Sequence, residues 1–568
     1  MAVRVTLAGM RLPAALLGAL VVPVLPLVVA APAHAATTII CVNRPDDTEC
    51  NQRPTTIPNA ITAAAADGTD SVIRIGKGTF TGPFTFDGTS SPLTVQGNGN
   101  GTGDQATVLT VATNTGTPYL TATAATLRNV RVQVKDVGAV GVRADTGSTL
   151  QQVIVADTPT AVATNATGFI VASSLVQEST VNLDRGTGAT GAFVTGTTGQ
   201  PSALRRVTVR SSESGIRAVE GPVTVDNSVI DLGTTGVVGL GAGLPQTTTA
   251  VTLDARYVTL VGGIAGSRGV EAYSDDAAAP STVTLVNSIV RGPGSSLTAE
   301  ASGGTTAAVN VSYSDYRTQQ QIGTGAVNAG AGNLDVDPLF RDEAGDDLQL
   351  RAGSPVVDKA SGLVASGPDR NGDARAIDGD GNGSQIPDMG AYELQDITAP
   401  KTTFSAGPQG PTKDNTPVFQ FKANDDVAKY ECSVDTGAFV ACASPATTTP
   451  LSEGAHTFSV RATDEAFNVE TPPATRSFTV DTVAPNVKLT KKPAKKLYKE
   501  KVKFKFTANE PKVTFQCKLD KGSWKKCSSP YKITVKRGWH TMLVRATDAA
   551  GNVDPKPAKY QFQRAKRP

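Results

Sequence analysis

The sequence predicts an all-β protein, a long stacked solenoid followed by two small β-sandwiches. Three observations predict it. Imperfect copies of one short pattern recur between residues 127 and 290, and a block after residue 396 returns 84 to 85 residues later. The composition, with 56 Gly in 568 residues and 5% aromatic side chains, suits a turn-rich chain with little helical periodicity. At that length more than one domain is expected.

Arg4 and Arg11 precede an apolar run, Leu12 to Ala30, which is followed by Ala33-His34-Ala35. A basic start, an apolar middle and small residues at a cleavage point form an export leader, so residues 1–35 are expected to be a signal peptide. Pro13, Pro23 and Pro26 interrupt the run as a membrane span, and no other stretch is apolar enough to cross a bilayer. The mature chain is therefore expected outside the cell, released or held at its surface, without inserting into a membrane. Export makes the six cysteines readable as disulfides. Cys41/Cys50, Cys432/Cys442 and Cys517/Cys527 are close in sequence, and local pairing is the simplest of 15 connectivities. Gly437 and Gly522 lie midway in the last two pairs, each after a turn-like dipeptide, so those cysteines are expected to face each other across a hairpin.

Residues 57–66 read as a short helix, ended by Asp67-Gly68, before the strand Val72-Ile73-Arg74-Ile75. The repeats follow: Leu127-Arg128-Asn129-Val130, Leu150-Gln151-Gln152-Val153, Leu204-Arg205-Arg206-Val207, Val225-Asp226-Asn227-Ser228 and Leu285-Val286-Asn287-Ser288. With a further copy starting at Leu253, successive starts lie 23 (127 to 150), 21 (204 to 225), 28 (225 to 253) and 32 (253 to 285) residues apart, as solenoid coils with variable loops would. In each copy an apolar residue precedes a polar turn residue and then β-branched ones, a strand bending into another strand. The turn position holds Asn129, Gln152, Arg206, Asn227 and Asn287, a place where Asn tolerates left-handed backbone and can stack into a ladder. The pattern resembles a right-handed parallel β-helix of the pectin-lyase-like type, which implies that the early helix covers the open first coil. Coils are expected to about Tyr313, within a domain of residues 36–395.

From Asp335 the character changes. Asp337-Pro338-Leu339-Phe340, Gly353-Ser354-Pro355, Asp358 and Asp388-Met389-Gly390-Ala391-Tyr392-Glu393 together resemble the choice-of-anchor Q segment of secreted bacterial β-helices. That resemblance implies a terminal cap over residues 335–395 and a cell-surface context. Beyond it, Asp396-Ile397-Thr398-Ala399-Pro400 returns as Asp481-Thr482-Val483-Ala484-Pro485, and Arg461-Ala462-Thr463-Asp464 as Arg545-Ala546-Thr547-Asp548. Alternating strands such as Val502-Lys503-Phe504-Lys505-Phe506 argue a sandwich in each of residues 396–485 and 486–568. These units resemble bacterial immunoglobulin-like repeats, which implies stalks or binding modules.

Catalytic signals are sparse. Hydrolases on the pectin-lyase-like fold use several aspartates with a His, because glycosidic cleavage needs a paired acid and base; here residues 36–395 contain no histidine. Asp275-Asp276 is the single adjacent acid pair in the coils, and Arg206 and Arg210, with Arg205 and Arg217 near in sequence, form the best basic cluster for a lyase. Solvated surface arginines are the simpler reading of that cluster. Calcium is a further candidate: Asp369, Asn371 and Asp373, then Asp378, Asp380 and Asn382, offer oxygens at alternate positions. The EF-hand loop is not met, because its twelfth place falls on Met389, and ordinary Gly/Asp turns are the alternative.

Charge is distributed unevenly. Residues 486–568 hold 23 Lys and Arg against 5 Asp and Glu, net +18, while residues 396–485 hold 6 against 11, net −5, and residues 36–395 hold 22 against 35, net −13. Lys491, Lys492, Lys495, Lys496, Lys503, Lys505, Lys525 and Lys526 form the expected binding set for an anionic polysaccharide or cell-wall polymer. The expectation is a monomeric, secreted or surface protein that binds polysaccharide without catalysis, with a uronate-specific lyase or a structural stalk or adhesin as the alternatives.

Overall fold

A computed structural model describes residues 37–99, 106–111, 117–158, 163–275, 279–363, 367–380, 382–424 and 427–567. The expected leader and Asp276 lie outside these residues. The described chain is almost wholly β, a parallel solenoid of about nine turns followed by further sheets. No described helix is long and apolar enough to cross a membrane.

Each coil contributes strands to three parallel ladders. In the first, Ala125–Val134, Thr149–Asp157, Leu175–Gln177 and Ser202–Arg205 stack in register, and the ladder runs on through Val251–Arg256 and Ser281–Val286 to Ala326–Ala329. That last strand lies one coil beyond the expected end at Tyr313. The bend into the second ladder is left-handed at Asn129, Gln152, Glu178, Arg206, Asn227, Tyr257, Asn287 and Tyr313, with φ between 47° and 58°. Five of those eight are the turn residues expected from the repeats. After the bend, Ser179, Ser228 and Ser288 accept hydrogen bonds from the N–H groups of Val153, Val207 and Val258 in the preceding coils, at 3.1 to 3.2 Å. Buried amides at the corner are thereby satisfied without water. Opposite the second ladder, Gly141, Gly168, Gly191, Gly215, Gly239 and Gly269 stack in the third, where an added Cβ would come within 2.6 Å of Val155, Val181, Val209, Ile230, Leu260 and Val290. Glycine there lets those inward side chains fill the coil.

The helix Ile57–Asp67 starts on the Thr56 cap, whose side chain accepts from the Asn59 amide, and stops at Gly68 in left-handed conformation. It buries Ile57, Ala60 and Ala64 against the first coils. A strand missed in the sequence, Thr38–Val42, adds to the outer edge of the first ladder, and the Cys41–Cys50 disulfide joins it to the segment that follows.

The segment expected to close the end of the solenoid lies along its side. Val229, Val261 and Ile289 point outward from the second ladder, yet are at most 5% exposed, because Phe340, Leu350, Val356, Val357, Met389 and Ala391 cover them. Fully burying each contributes about 1.5–3 kcal/mol, which is the physical reason the segment runs sideways over several coils. Polar contacts fix its register. Arg370 donates to Thr208 Oγ1 at 2.9 Å, Ala391 N to Thr259 Oγ1 at 2.8 Å, and Asn287 exchanges hydrogen bonds with the Ser361 backbone at 2.7 and 3.2 Å. At Gly390, φ +91°, a Cβ would meet Ile289 and Thr259 at 2.7 Å, so this strap passes where a side chain has no room. The Gly390 N–H donates to the Asn287 carbonyl at 2.8 Å.

Two similar sandwiches follow, each a three-stranded sheet over a five-stranded one. Phe419, Phe421, Phe458 and Phe478 fill the first; Phe504, Phe506, Val544 and Phe562 fill the second. The hairpin disulfides Cys432–Cys442 and Cys517–Cys527 form with Cα separations of 5.8 Å. The cysteines are not directly opposite as expected. Tyr430 pairs with Cys442 and Cys432 with Val440, so each bridge runs diagonally over two residues. Phe515–Cys527 and Cys517–Lys525 repeat that register.

Candidate functional site

The arginines proposed from sequence as a basic cluster are split, with Arg205 and Arg206 together and Arg210 and Arg217 apart from them. Arg206 pairs with Glu178 at the left-handed bend, Arg210 lies 3.5 Å from Asp231 and 3.2 Å from Asp346, and Arg217 pairs with the buried Glu271 on the third ladder. Asp275 follows a third-ladder strand, and its carboxylate accepts the Gln246 amide at 3.1 Å. These candidates therefore sit on different faces, each arginine neutralised by a carboxylate. What the fold does assemble is a groove of about 400 Å³ between the first ladder and the strap. Arg205, Asp226 and Arg256 stand side by side in consecutive coils along it, with Arg206, Gln177 and Tyr257 around them. Burial pushes the Asp226 carboxyl up, against the pull of Arg256 and Arg205. Alternating charge across coils gives the groove donors and acceptors that suit a carboxylated or hydroxylated chain.

The two acidic runs separate in the fold. Asp369 is fully buried and spends its oxygens on the amides of Asn371, Asp373 and Glu393 at 2.8 to 3.0 Å, a closed turn rather than a ligand cage. Asn371 and Asp373 are exposed beside it. In the second run Asp378 and Asp380 meet Asp358, their carboxylates within 4.8 Å of one another. Asn382 turns away, accepting from Ser384 N at 2.9 Å. Asp358, absent from the sequence-derived set, is buried, its carboxyl pushed up by desolvation, and it accepts from the Asp380 amide at 2.8 Å. Lys359 lies 3.6 Å from Asp380. These three carboxylates are the described residues of the strap that could hold a hard cation.

In the last sandwich three of the eight lysines proposed from sequence share one sheet face, and the other five lie on edge strands or between strands. Lys491, Lys503 and Lys505 project from the outer face of the three-stranded sheet with Lys488, Lys501 and Lys532, all exposed. Their inward neighbours Val502, Phe504 and Phe506 are buried, the alternation read from the sequence. Lys491 stands opposite Lys505 and Lys503 opposite Lys532. Like charges directly opposite on a sheet are unfavourable. Among the described residues the ion pairs of this sandwich are Arg564–Glu500 and His540–Asp520, and neither involves these lysines. Lys496 lies on one edge strand of the five-stranded sheet, and Lys525 and Lys526 on the other. Lys492 and Lys495 lie between strands, Lys492 with its Nζ 5.1 Å from the Tyr560 ring.

The two histidines are clasps within the sandwiches. His456 faces Asp435 Oδ2 at 2.8 Å and the Ser452 carbonyl at 2.9 Å; His540 faces Asp520 Oδ2 and the Lys536 carbonyl, both at 2.8 Å. Two acceptors require both ring nitrogens to donate. Asp435 raises the His456 value above the ordinary imidazole range, and at His540 the Asp520 and Lys536 contacts outweigh burial.

No protein-family model matches the chain, and no curated protein does. Among solved structures, pectin methylesterase PemA from Erwinia chrysanthemi is 13% identical over 42% of this chain and 82% of its own, with a TM-score of 0.29. The fibronectin(III)-like modules of Clostridium thermocellum CbhA are 19% identical over 29% of this chain and 95% of theirs, TM-score 0.23. Murine CEACAM1b is 15% identical over 29% of this chain and all of its own, TM-score 0.19. At such scores the fold rests on the strand pairing itself.

Proposed function

We propose that this is an extracellular, non-catalytic binding protein for an anionic polysaccharide or cell-wall polymer, held to it by the last sandwich. One observation carries the reading: six exposed lysines crowd one sheet face, two pairs directly opposite each other, and among the described residues none of the six is in an ion pair. A polyanion laid on that face relieves the repulsion that the fold otherwise bears. Lysine is a flexible point charge, so such binding is loosely specific and strongly salt-dependent. Three disulfides fit an oxidising, extracellular setting. The segment 335–395, with its likeness to anchor segments, and the immunoglobulin-like character of the sandwiches belong to the same surface reading.

The test uses the full chain and polygalacturonate. Binding at low salt should be lost by about 0.5 M, where the Debye length falls to a few ångströms. Lys503→Glu with Lys505→Glu should weaken binding at least tenfold, or about 1.4 kcal/mol. Retention indifferent to salt, or a double variant that binds like the parent, would sink the charge reading. The groove at Arg205, Asp226 and Arg256 favours a second reading as a uronate lyase. An unsaturated product absorbing in the ultraviolet would decide for it.

A further inference from the structure

The lysine face says that the partner is anionic, but not that it is a sugar. The outer face of the neighbouring five-stranded sheet bears on that. On Gly538–Thr547, His540, Met542 and Val544 turn towards the core, while Trp539, Thr541 and Arg545 turn outward. Trp539 is 70% exposed. An indole left in water loses the apolar burial that a core position would give.

The chain contains its own control, because the first sandwich repeats this sheet in the same register. There the row across three strands is Pro411, Thr479 and Ala455; here it is Lys496, Gln563 and Trp539. Further changes accompany it. Glu431, paired with Arg461 at 3.0 Å, becomes Gln516, which accepts from Arg545 at 2.9 Å, and Glu453 becomes Arg537. Two carboxylates leave while an indole, two amides and two cations enter. None of these changes touches the core, which is phenylalanine-rich in both copies. By contrast Trp524 is structural, since it lies under Arg545 at 4.3 Å as Phe439 lies under Arg461 at 4.4 Å.

We propose that the outer face of this sheet is a binding site for an acidic polysaccharide, with a sugar ring stacked on Trp539, carboxylates met by Lys496 and Arg537, and hydroxyls by Gln563. The C–H face of a pyranose carries partial positive charge and fits the electron-rich face of an indole. A polyphosphate has no such face. The site rests on the reading of this sandwich as a polyanion binder, and it names the sugar as what distinguishes the true ligand from other polyanions.

Intrinsic fluorescence of the full protein gives a direct readout, because the chain has two tryptophans and one lies beneath Arg545. Polygalacturonate should shift the emission, and long-chain polyphosphate should bind without shifting it. Trp539→Ala should abolish the shift and weaken polygalacturonate binding about tenfold or more, a change of one decade in Kd. The same variant should leave polyphosphate binding within about twofold and the thermal midpoint unchanged, as an exposed residue makes few native contacts. Trp539→Phe should retain most of the affinity. If Trp539→Ala binds both polymers like the parent, the sugar site is wrong and charge alone remains. If neither polymer binds at low salt, the charge reading and the sugar site fall together.

Discussion

Arg375 is the side chain whose loss should free the strap from the solenoid. Its guanidinium is buried, donating to Asn227 Oδ1 at 2.8 Å and to the carbonyls of Gly390 and Ala391 at 3.0 and 2.7 Å, and it lies 4.2 Å from the Tyr257 ring. Its ion-pair partner Glu393 sits at 3.5 Å and is itself buried. Beside it, burial and the Glu393 charge push the Asp388 carboxyl well up, and burial pushes Glu393 up. Arg375→Met keeps much of the volume and removes the cation paired with Glu393. Breaking a buried pair by deleting one partner costs about 3–5 kcal/mol. At about 1.4 kcal/mol per decade that raises local opening by a factor of about 10²–10⁴. Thermolysin cleavage within residues 335–395, at low protease where rate follows the open population, reads it directly. Adding Glu393→Gln removes the charge left behind and should recover at least about one decade. Cleavage of the single variant at the parental rate, or a double variant cut faster than the single, would refute the account.

Three other outcomes are expected. Mass mapping of unreduced peptides should recover Cys41–Cys50, Cys432–Cys442 and Cys517–Cys527, and a peptide linking the two sandwiches would contradict the local pairing. Asn287→Val should lower the solenoid's denaturation midpoint more than Asn287→Gly, because a β-branched residue at φ 55° costs about 1–2 kcal/mol that glycine does not. Equal losses would assign the effect wholly to the Ser361 hydrogen bonds. The histidine clasps stabilise when protonated, with values raised from 6.5. Their contribution is therefore full below that pH and lost as pH rises through the folded values. Thermal midpoints should fall from pH about 6 to about 8.5, less so in a His456→Gln, His540→Gln variant; identical pH profiles for the two proteins would remove the clasps from the account.

Much of the solenoid was legible because its bends recur as Asn129, Gln152, Arg206, Asn227 and Asn287. Glu178, Tyr257 and Tyr313 escaped notice, since stacking on neighbouring coils forces left-handed backbone on residues that seldom choose it. The sideways strap does have a signal in the sequence. Val229-Ile230, Leu260-Val261 and Ile289-Val290 are consecutive apolar pairs, where Thr180-Val181 and Thr208-Val209 alternate. A strand apolar at successive positions is covered on both faces. Asp358 could not be placed with Asp378 and Asp380, because it stands 20 and 22 positions before them in the sequence. The lysine face followed from strict alternation in Lys501-Val502-Lys503-Phe504-Lys505. Trp539 gave no such signal, because a lone tryptophan on a strand reads as core.

The strap also sets an order of events. A plain solenoid is held by nearest neighbours, so its coils can form one after another and fray the same way. Here the coils around Thr208, Asn227, Thr259 and Asn287 wait for the strap, from Phe340 to Ala391, before their outer apolar side chains are covered. A chain emerging from its N-terminus completes the early coils alone but holds these later ones unfinished until the strap arrives, and then closes them together. The back half should thus unfold as one cooperative block while the front half loosens coil by coil, two regimes of cooperativity within one continuous stack.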